Sequence, residues 1–537
     1  MSDYQRLRTP LTNMSFTPDV PSNALGTNEY NSGLNVETDV RGIKKIFGEQ
    51  EVLTAVPAGA IFLEGGFRSE SNFVYIVATR DSSNHGKWYM VTTGGVTNIT
   101  PGVGSNPSVY LTGYTADINI TTSWVGNVFF INDTVNNPMY FVPTATEIAI
   151  TPDAQWNYDV GVTSTKAGFV RNFCSPNVGN ILVAGNLTKV VSGISTNYPT
   201  TVRWSQSFGL LGTPDTWKPT LTNVANEQEV PVRGPLVDGF FLGGNFYLCS
   251  YWDTVVLSPI AYQNSTAPVF GVRLFNQGRG LINNNCWTNT DQNVYGIDSR
   301  DIWVFDGSNF NSIGNQRVKD YFFSNLNATY YDRMFMVNNT QKYQIEIYYP
   351  DLNSTGWCNK MLSYRYDLDV WNPPKDIQNA CMGTEGPKVV SGNFNLASRA
   401  VVYMPGEVSG SKIIQTATGN SFINSQPIHA LFERTNASLQ TDKGPVPFSN
   451  KVYVHRALPE ISGSGTINIT IGGANSTAQT PVYGQVGNTN VNTDTPWVTT
   501  QQNAVRTIAI KVESNDSTDT WNLSAMNYQA QVVEDAF

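Results

Sequence analysis

A loose recurrence of about 50 residues does most to limit what this chain can fold into. The run Trp88-Tyr89-Met90-Val91 is followed, eleven residues after Trp88, by Ile99-Thr100-Pro101. Likewise Met139-Tyr140-Phe141-Val142 is followed, eleven residues after Met139, by Ile150-Thr151-Pro152, and the two copies stand 51 residues apart. A second marker is an Asn that opens an apolar strand: Asn72-Phe73-Val74-Tyr75, Asn127-Val128-Phe129-Phe130, Asn180-Ile181-Leu182-Val183, Asn245-Phe246-Tyr247-Leu248 and Asn293-Val294-Tyr295. These recur at separations of 55, 53, 65 and 48 residues. Several short strands per copy cannot bury both faces of their sheet alone, so the copies must stack around an axis as propeller blades.

Turn chemistry agrees with that reading. Gly243-Gly244 links Phe240–Leu242 to Phe246–Cys249, and Asp306-Gly307 follows the strand Ile302–Phe305. Ile345–Tyr349, Met361–Tyr366 and Val389–Ser391 continue the series, and six or seven blades fit. Apolar residues at helical spacing are confined to short stretches such as Gln316–Asn325. The pool is rich in Val, Thr, Tyr and Phe, which suit a pleated half-buried surface, and in Gly, Pro and Asn, which suit turns. The expected fold class is all-β.

The flanks differ in texture. Residues 1–48 read as an extended N-terminal arm, because Pro18 and Pro21 bias their predecessors away from helix. Such an arm either caps its own domain or reaches a neighbouring subunit, and Leu7–Val40 is the candidate for crossing a subunit joint. Residues 49–430 form the expected β-propeller. Over residues 431–537 clean alternation appears: Ile467, Ile469 and Ile471 share one face, as do Ile508, Ile510 and Val512, which marks antiparallel strands with one solvated face. With the Gly/Asn/Thr-rich loops Gly472–Gln479 and Gly484–Thr495, a β-sandwich of about 100 residues is expected.

Chemistry-bearing patterns are sparse. Cys174, Cys249, Cys286, Cys358 and Cys381 are far apart and form no CxxC, and His85, His429 and His455 lack metal-ligand spacing, so neither zinc nor a disulfide framework is expected. Thr79-Arg80-Asp81 followed by Gly86-Lys87-Trp88 has most residues of a sialidase Asp-box but too many between Asp81 and Gly86, and reads as a hairpin loop. Asp367 and Asp369 are two apart, on one face of a strand, yet solvated turn edges are commoner than acid pairs. Trp204, Trp217, Trp252, Trp303, Trp371 and Trp497 are expected as core wedges rather than sugar platforms. No Gly-x-Ser-x-Gly elbow, HExxH, Walker loop or EF-hand loop occurs. No enzyme, catalytic residue, metal or cofactor is therefore expected. No segment has the length and apolarity of a membrane span, and Met1–Pro10 has no apolar signal core. A net charge of −9 argues against wrapping nucleic acid and suits a surface that DNA slides past.

Val452-Tyr453-Val454-His455-Arg456, Pro459–Ile467, Arg506–Ser514 and Trp521–Ser524 resemble the end of tail hub and nozzle proteins of short-tailed bacteriophages. Arg203-Trp204-Ser205 leading to Asp215-Thr216-Trp217, and Asp301–Gly307, resemble their propeller portion. The resemblance implies a virion structural protein in the tail, assembled as a homohexameric ring. That ring would dock to portal-adaptor proteins above and to fibre, spike or needle proteins below. Its lumen would conduct or retain double-stranded DNA without reading its sequence. The competing expectation is a propeller that binds or cleaves glycans for host recognition, which needs convergent carboxylates and aromatics in one central pocket.

Overall fold

In the computed structural model, residues 5–533 are described except 102–109, 116, 143–150, 153–155, 176–177, 261–268, 409, 438, 442–443, 485, 492–496 and 500–503. Ile150 of the second repeat copy and much of the loop Gly484–Thr495 therefore lie outside the described residues.

The chain is an all-β propeller joined to a β-sandwich. Five blades are separate antiparallel meanders in chain order, four-stranded in blades 2 to 5, with Leu111–Thr112 adding a short fifth strand to blade 1. Blade 1 begins at Gly59–Ser69, blade 2 at Thr121–Val125, blade 3 at Val162–Ser175, blade 4 at Leu236–Leu242 and blade 5 at Trp287–Asn289. Blade 6 runs from Phe335–Asn339 through Gln344–Tyr349 and Cys358–Arg365 to the first half of Val370–Val390. The second half of that 21-residue strand pairs with Asn393–Pro405 and opens blade 7. Its outermost strand is Glu49–Val52, from the other end of the propeller sequence, paired antiparallel with Ile413–Thr416. Blade 7 is thus built from both ends, and the ring is closed by main-chain hydrogen bonds.

Each seam between neighbouring blades holds an apolar cluster, that of blades 5 and 6 continuous with the sandwich core, which is why the copies need one another. Phe62, Trp88, Phe129 and Phe141 fill the seam of blades 1 and 2, and Val128, Trp156, Val170 and Leu182 that of blades 2 and 3. Further clusters join blades 3 and 4, 4 and 5, 5 and 6, 6 and 7, and finally 7 and 1. Seven seams mean seven blades. The recurrent Asn marks the same place each time: Asn72, Asn127, Asn180, Asn245 and Asn293 stand at or one residue from the start of the second strand of blades 1 to 5. The Gly243-Gly244 turn has φ of 58° and 81°, the pair of positive values a two-residue hairpin needs to match strand twist. The short helix is Lys319–Asn325, between blades 5 and 6.

The segment expected as an extended arm over residues 1–48 is, in its described part, paired into the sheets of the sandwich. Gln5–Pro10 pairs with Thr520–Val533, as Leu7 opposite Tyr528 shows. Val36–Asp39 and Gly42–Lys45 extend that same sheet, and Ser32–Leu34 joins the second sheet at Ala430–Ala437. The amino-terminal segment is an integral part of its own sandwich, which is the first of the two fates expected for it, capping its own domain. The reason is burial: Leu7, Leu11, Met14, Phe16, Tyr30 and Val36 are each at most 2% exposed. They pack with Ile467, Ile469, Ile471, Ile508, Ile510 and Val512, whose alternation places them inward, and the same cluster runs on into blades 5 and 6.

Candidate functional site: the propeller axis

The inner strands of the seven blades converge on the axis, and each sends at least one polar or aromatic group there. In blade order these are Glu64, Thr122, Arg171, Asp238, Trp287, Asn338 and Thr384. Close approach is possible because blade 1 carries Gly65 and Gly66; a Cβ on Gly66 would run into the Trp124 ring of blade 2.

Arg171 and Asp238 form the tightest element. Two parallel bonds join them, Nε to Oδ1 at 2.9 Å and Nη2 to Oδ2 at 2.6 Å. Arg171 also donates to the carbonyls of Thr122 and Asn284, while Asp238 accepts from the Trp287 indole at 2.7 Å and from Gly239 N at 2.8 Å. The charge of each is compensated within hydrogen-bond reach, as burial demands. The run Asn283-Asn284-Asn285 ties the neighbouring blades together. Asn283 donates to the carbonyls of Tyr331 and Met334, and Asn284 to that of Gly168.

Beside this network lies a cavity of about 360 Å³. Its wall includes two carboxylates, Glu64 and Glu385. Glu64 accepts from Gly65 N at 3.0 Å and from the Thr384 and Thr122 hydroxyls at 3.2 and 3.4 Å. Desolvation raises its pKa, and those hydrogen bonds pull the other way. Glu385 accepts from the main chain and hydroxyl of Thr340 at 2.7 and 2.8 Å. A second, much smaller cavity of about 30 Å³ shares Asn285 and Met382 with the first, so side chains narrow the axis between them. At its far wall Arg333 sits 4.6 Å over the Trp357 ring and pairs with Asp117 at 3.0 Å.

The residues weighed from sequence lie elsewhere. Asp81 accepts from Ser83 N and His85 N in the hairpin Asn72–Arg80 to His85–Thr92, so the partial Asp-box is a turn. Asp367 pairs with Arg365 and Asp369 with Arg317, each at a turn edge and neither in the axial cavity. Trp204, Trp217, Trp303 and Trp371 are fully buried wedges, whereas Trp252 is 45% exposed and Trp497 lies under the Arg456 guanidinium. Four cysteines are buried and Cys174 is exposed; none is in a disulfide. Among the described residues no group of three or more His, Cys, Asp or Glu could hold a metal, and no helix is long and apolar enough to cross a membrane. Sequence reasoning missed the axial set, since its members come singly from strands about 50 residues apart.

No protein-family model matches the chain, and no curated protein does. Among solved structures, one titled "Structure of Dos1 propeller" is similar with a TM-score of 0.34 at 9% identity, over 65% of this chain and 76% of that one.

Proposed function

We propose that the chain is a non-catalytic structural protein of a short-tailed bacteriophage, the nozzle or hub ring joining the portal-adaptor to the distal tail parts. The supporting observation is mechanical. Propeller and sandwich share one core, the propeller is closed by a strand from its amino-terminal end, and Arg171, Asp238 and Trp287 cross the axis. A duplex cannot travel through a propeller closed in this way, so any conduit runs between subunits around a larger lumen. A closed cyclic ring then uses two different faces of each subunit. The acidic surface, at net charge −9, keeps passing DNA from sticking. The residues that resemble the phage family lie in the structural heart of the chain. Trp204 and Trp217 are buried in the seams on either side of blade 3, and Val452, Val454, Ile508, Ile510 and Leu523 are core positions of the sandwich.

Electron microscopy and mass measurement of the purified protein test this reading. The expected result is a ring with six-fold symmetry and about six times the 59.1 kDa subunit mass. A strictly monomeric protein at micromolar concentration, with no ring in tail preparations that contain it, would overturn it.

A further inference from the structure

We propose that the axial cavity is a binding site for a small polyhydroxylated ligand, a mono- or disaccharide unit. This goes beyond the ring-forming role and does not depend on it.

Size comes first. At about 360 Å³ the cavity lies at the lower end of the roughly 300–1,000 Å³ typical of small-molecule pockets. It has the volume of about a dozen waters, far more than a bare ion occupies. No grouping of metal-binding side chains stands there among the described residues.

Charge comes next. Arg171 is the cation of the wall, and Asp238 already neutralises it through two bonds. An anionic ligand would therefore find no free positive charge and would face Glu64 and Glu385. Phosphates and carboxylates are excluded on that ground.

Hydrogen bonding then selects the class. Glu64 and Glu385 are held by hydroxyl and main-chain donors, with no Lys or Arg in salt-bridge distance among the described residues. The two hydroxyl contacts to Glu64 are long, so its carboxylate has capacity left. Asn338 donates its Nδ2 to the Asn289 carbonyl, but its Oδ1 is buried without any partner. Such an acceptor costs about 1–3 kcal/mol when left unmet, and a turn of the amide about its last bond brings it to the cavity surface. The same wall offers the Thr288 hydroxyl and one N–H of the Arg171 Nη1 as donors. Acceptors and donors lining one cavity match a ligand whose groups both give and take a hydrogen bond. A sugar hydroxyl does both. Trp287, Met336 and Met382 supply the apolar part of the wall, against which the C–H face of a sugar ring would lie.

Calorimetric titration of the full chain with free hexoses, N-acetylhexosamines, deoxyhexoses and their disaccharides is the test, with putrescine as a cationic control. At least one saccharide is expected to bind saturably. Asn338→Leu and Glu385→Gln are each expected to weaken it about tenfold or more, the loss of one or two hydrogen bonds, while the variants keep a cooperative melting transition. Should Asn338→Leu fail to fold, Thr288→Val probes the same wall from blade 5. Three results would overturn the proposal: no saturable saccharide binding, saccharide binding that these variants leave intact, or binding of putrescine alone. Subunit mass is read in parallel, so a ring that binds no sugar refutes this site and leaves the nozzle reading standing. A monomer that binds sugar does the reverse.

Discussion

Arg171 on the inner strand of blade 3 and Asp238 on the inner strand of blade 4 face each other side-on, guanidinium fork to carboxylate. Asp238 is wholly buried and the Arg171 side chain is 13% exposed. The Trp287 indole from blade 5 completes the carboxylate's shell, so one ion pair spans three blades. Replacing Asp238 with Ala leaves the guanidinium without its counter-charge in a poorly solvated site. The expected loss is about 3–5 kcal/mol, the usual cost of breaking a buried pair from one side. Urea unfolding of Asp238→Ala reads it, and a shift under about 1 kcal/mol would show that solvent reaches the axis freely.

A second buried cation makes a sharper chemical comparison. Arg203 is fully buried, donating to Glu227 at 2.7 Å, to Asp159 at 2.8 Å and to the Trp156 carbonyl at 3.0 Å. Its guanidinium also lies 4.8 Å from the Trp156 ring and 4.5 Å from the Tyr158 ring. Lysine keeps the charge but has neither the planar fork nor the flat face. Arg203→Lys is expected to cost about 2 kcal/mol or more despite unchanged net charge, seen as a lower midpoint in denaturant. Equal stability would mean that charge alone holds this corner.

How much of this was legible depends on where the partners sit. The recurrent Asn and the paired Trp88 and Met139 runs are local signals, and they fall on equivalent strands of successive blades. The inward alternation at Ile467 and Ile508 was equally readable, because period two is a property of a single strand. The fate of the first 48 residues was not readable. Leu7 meets Tyr528 and Leu34 meets Leu431, and nothing near Leu7 or Leu34 in sequence encodes a partner so far along the chain. Blade 6 has Gln344 where the others have Asn, and blades 6 and 7 share one strand, so the tail of the repeat fades in the sequence. The axial set failed for the same reason as the arm: Glu64, Arg171, Asp238 and Asn338 are each unremarkable alone.

Closure of the propeller should respond to pH. Glu49, on the strand that seals blade 7, has its carboxyl pushed up to about 7 by burial, with Tyr403 opposing and Asp376 adding to the shift. One of its oxygens has no hydrogen-bond partner. The folded state therefore holds this proton more tightly than the unfolded chain, whose value is near 4.5. Stability from this group is complete below about 4.5, falls as pH rises, and is lost once pH passes about 7. The penalty at alkaline pH is on the order of 3 kcal/mol. Glu49→Gln should flatten the decline between pH 5 and 8 in melting experiments, and an unchanged slope would assign the decline to other groups.

Removal of the amino-terminal strands gives the most severe outcome. Deleting residues 1–40 takes away Leu7, Leu11, Met14, Phe16, Tyr30 and Val36, all essentially inaccessible, together with the strand Gln5–Pro10 along Thr520–Val533. Burial of each such side chain is worth about 1.5–3 kcal/mol, an upper estimate since unfolded chains are already partly collapsed. Six of them approach the 5–15 kcal/mol that holds a typical domain together. The truncated chain should therefore aggregate or show an unfolded sandwich by hydrogen exchange, with protection lost first at Ile467–Ile471 and Ile508–Val512. This also removes the truncation as a probe of subunit crossing, because a lost ring would follow from a lost fold. Leu7→Asp distinguishes the two: it keeps the chain length and should still destabilise an isolated subunit. If the isolated Leu7→Asp subunit melted like the parent, the strand pairing would be dispensable and these residues would again be free to act between subunits.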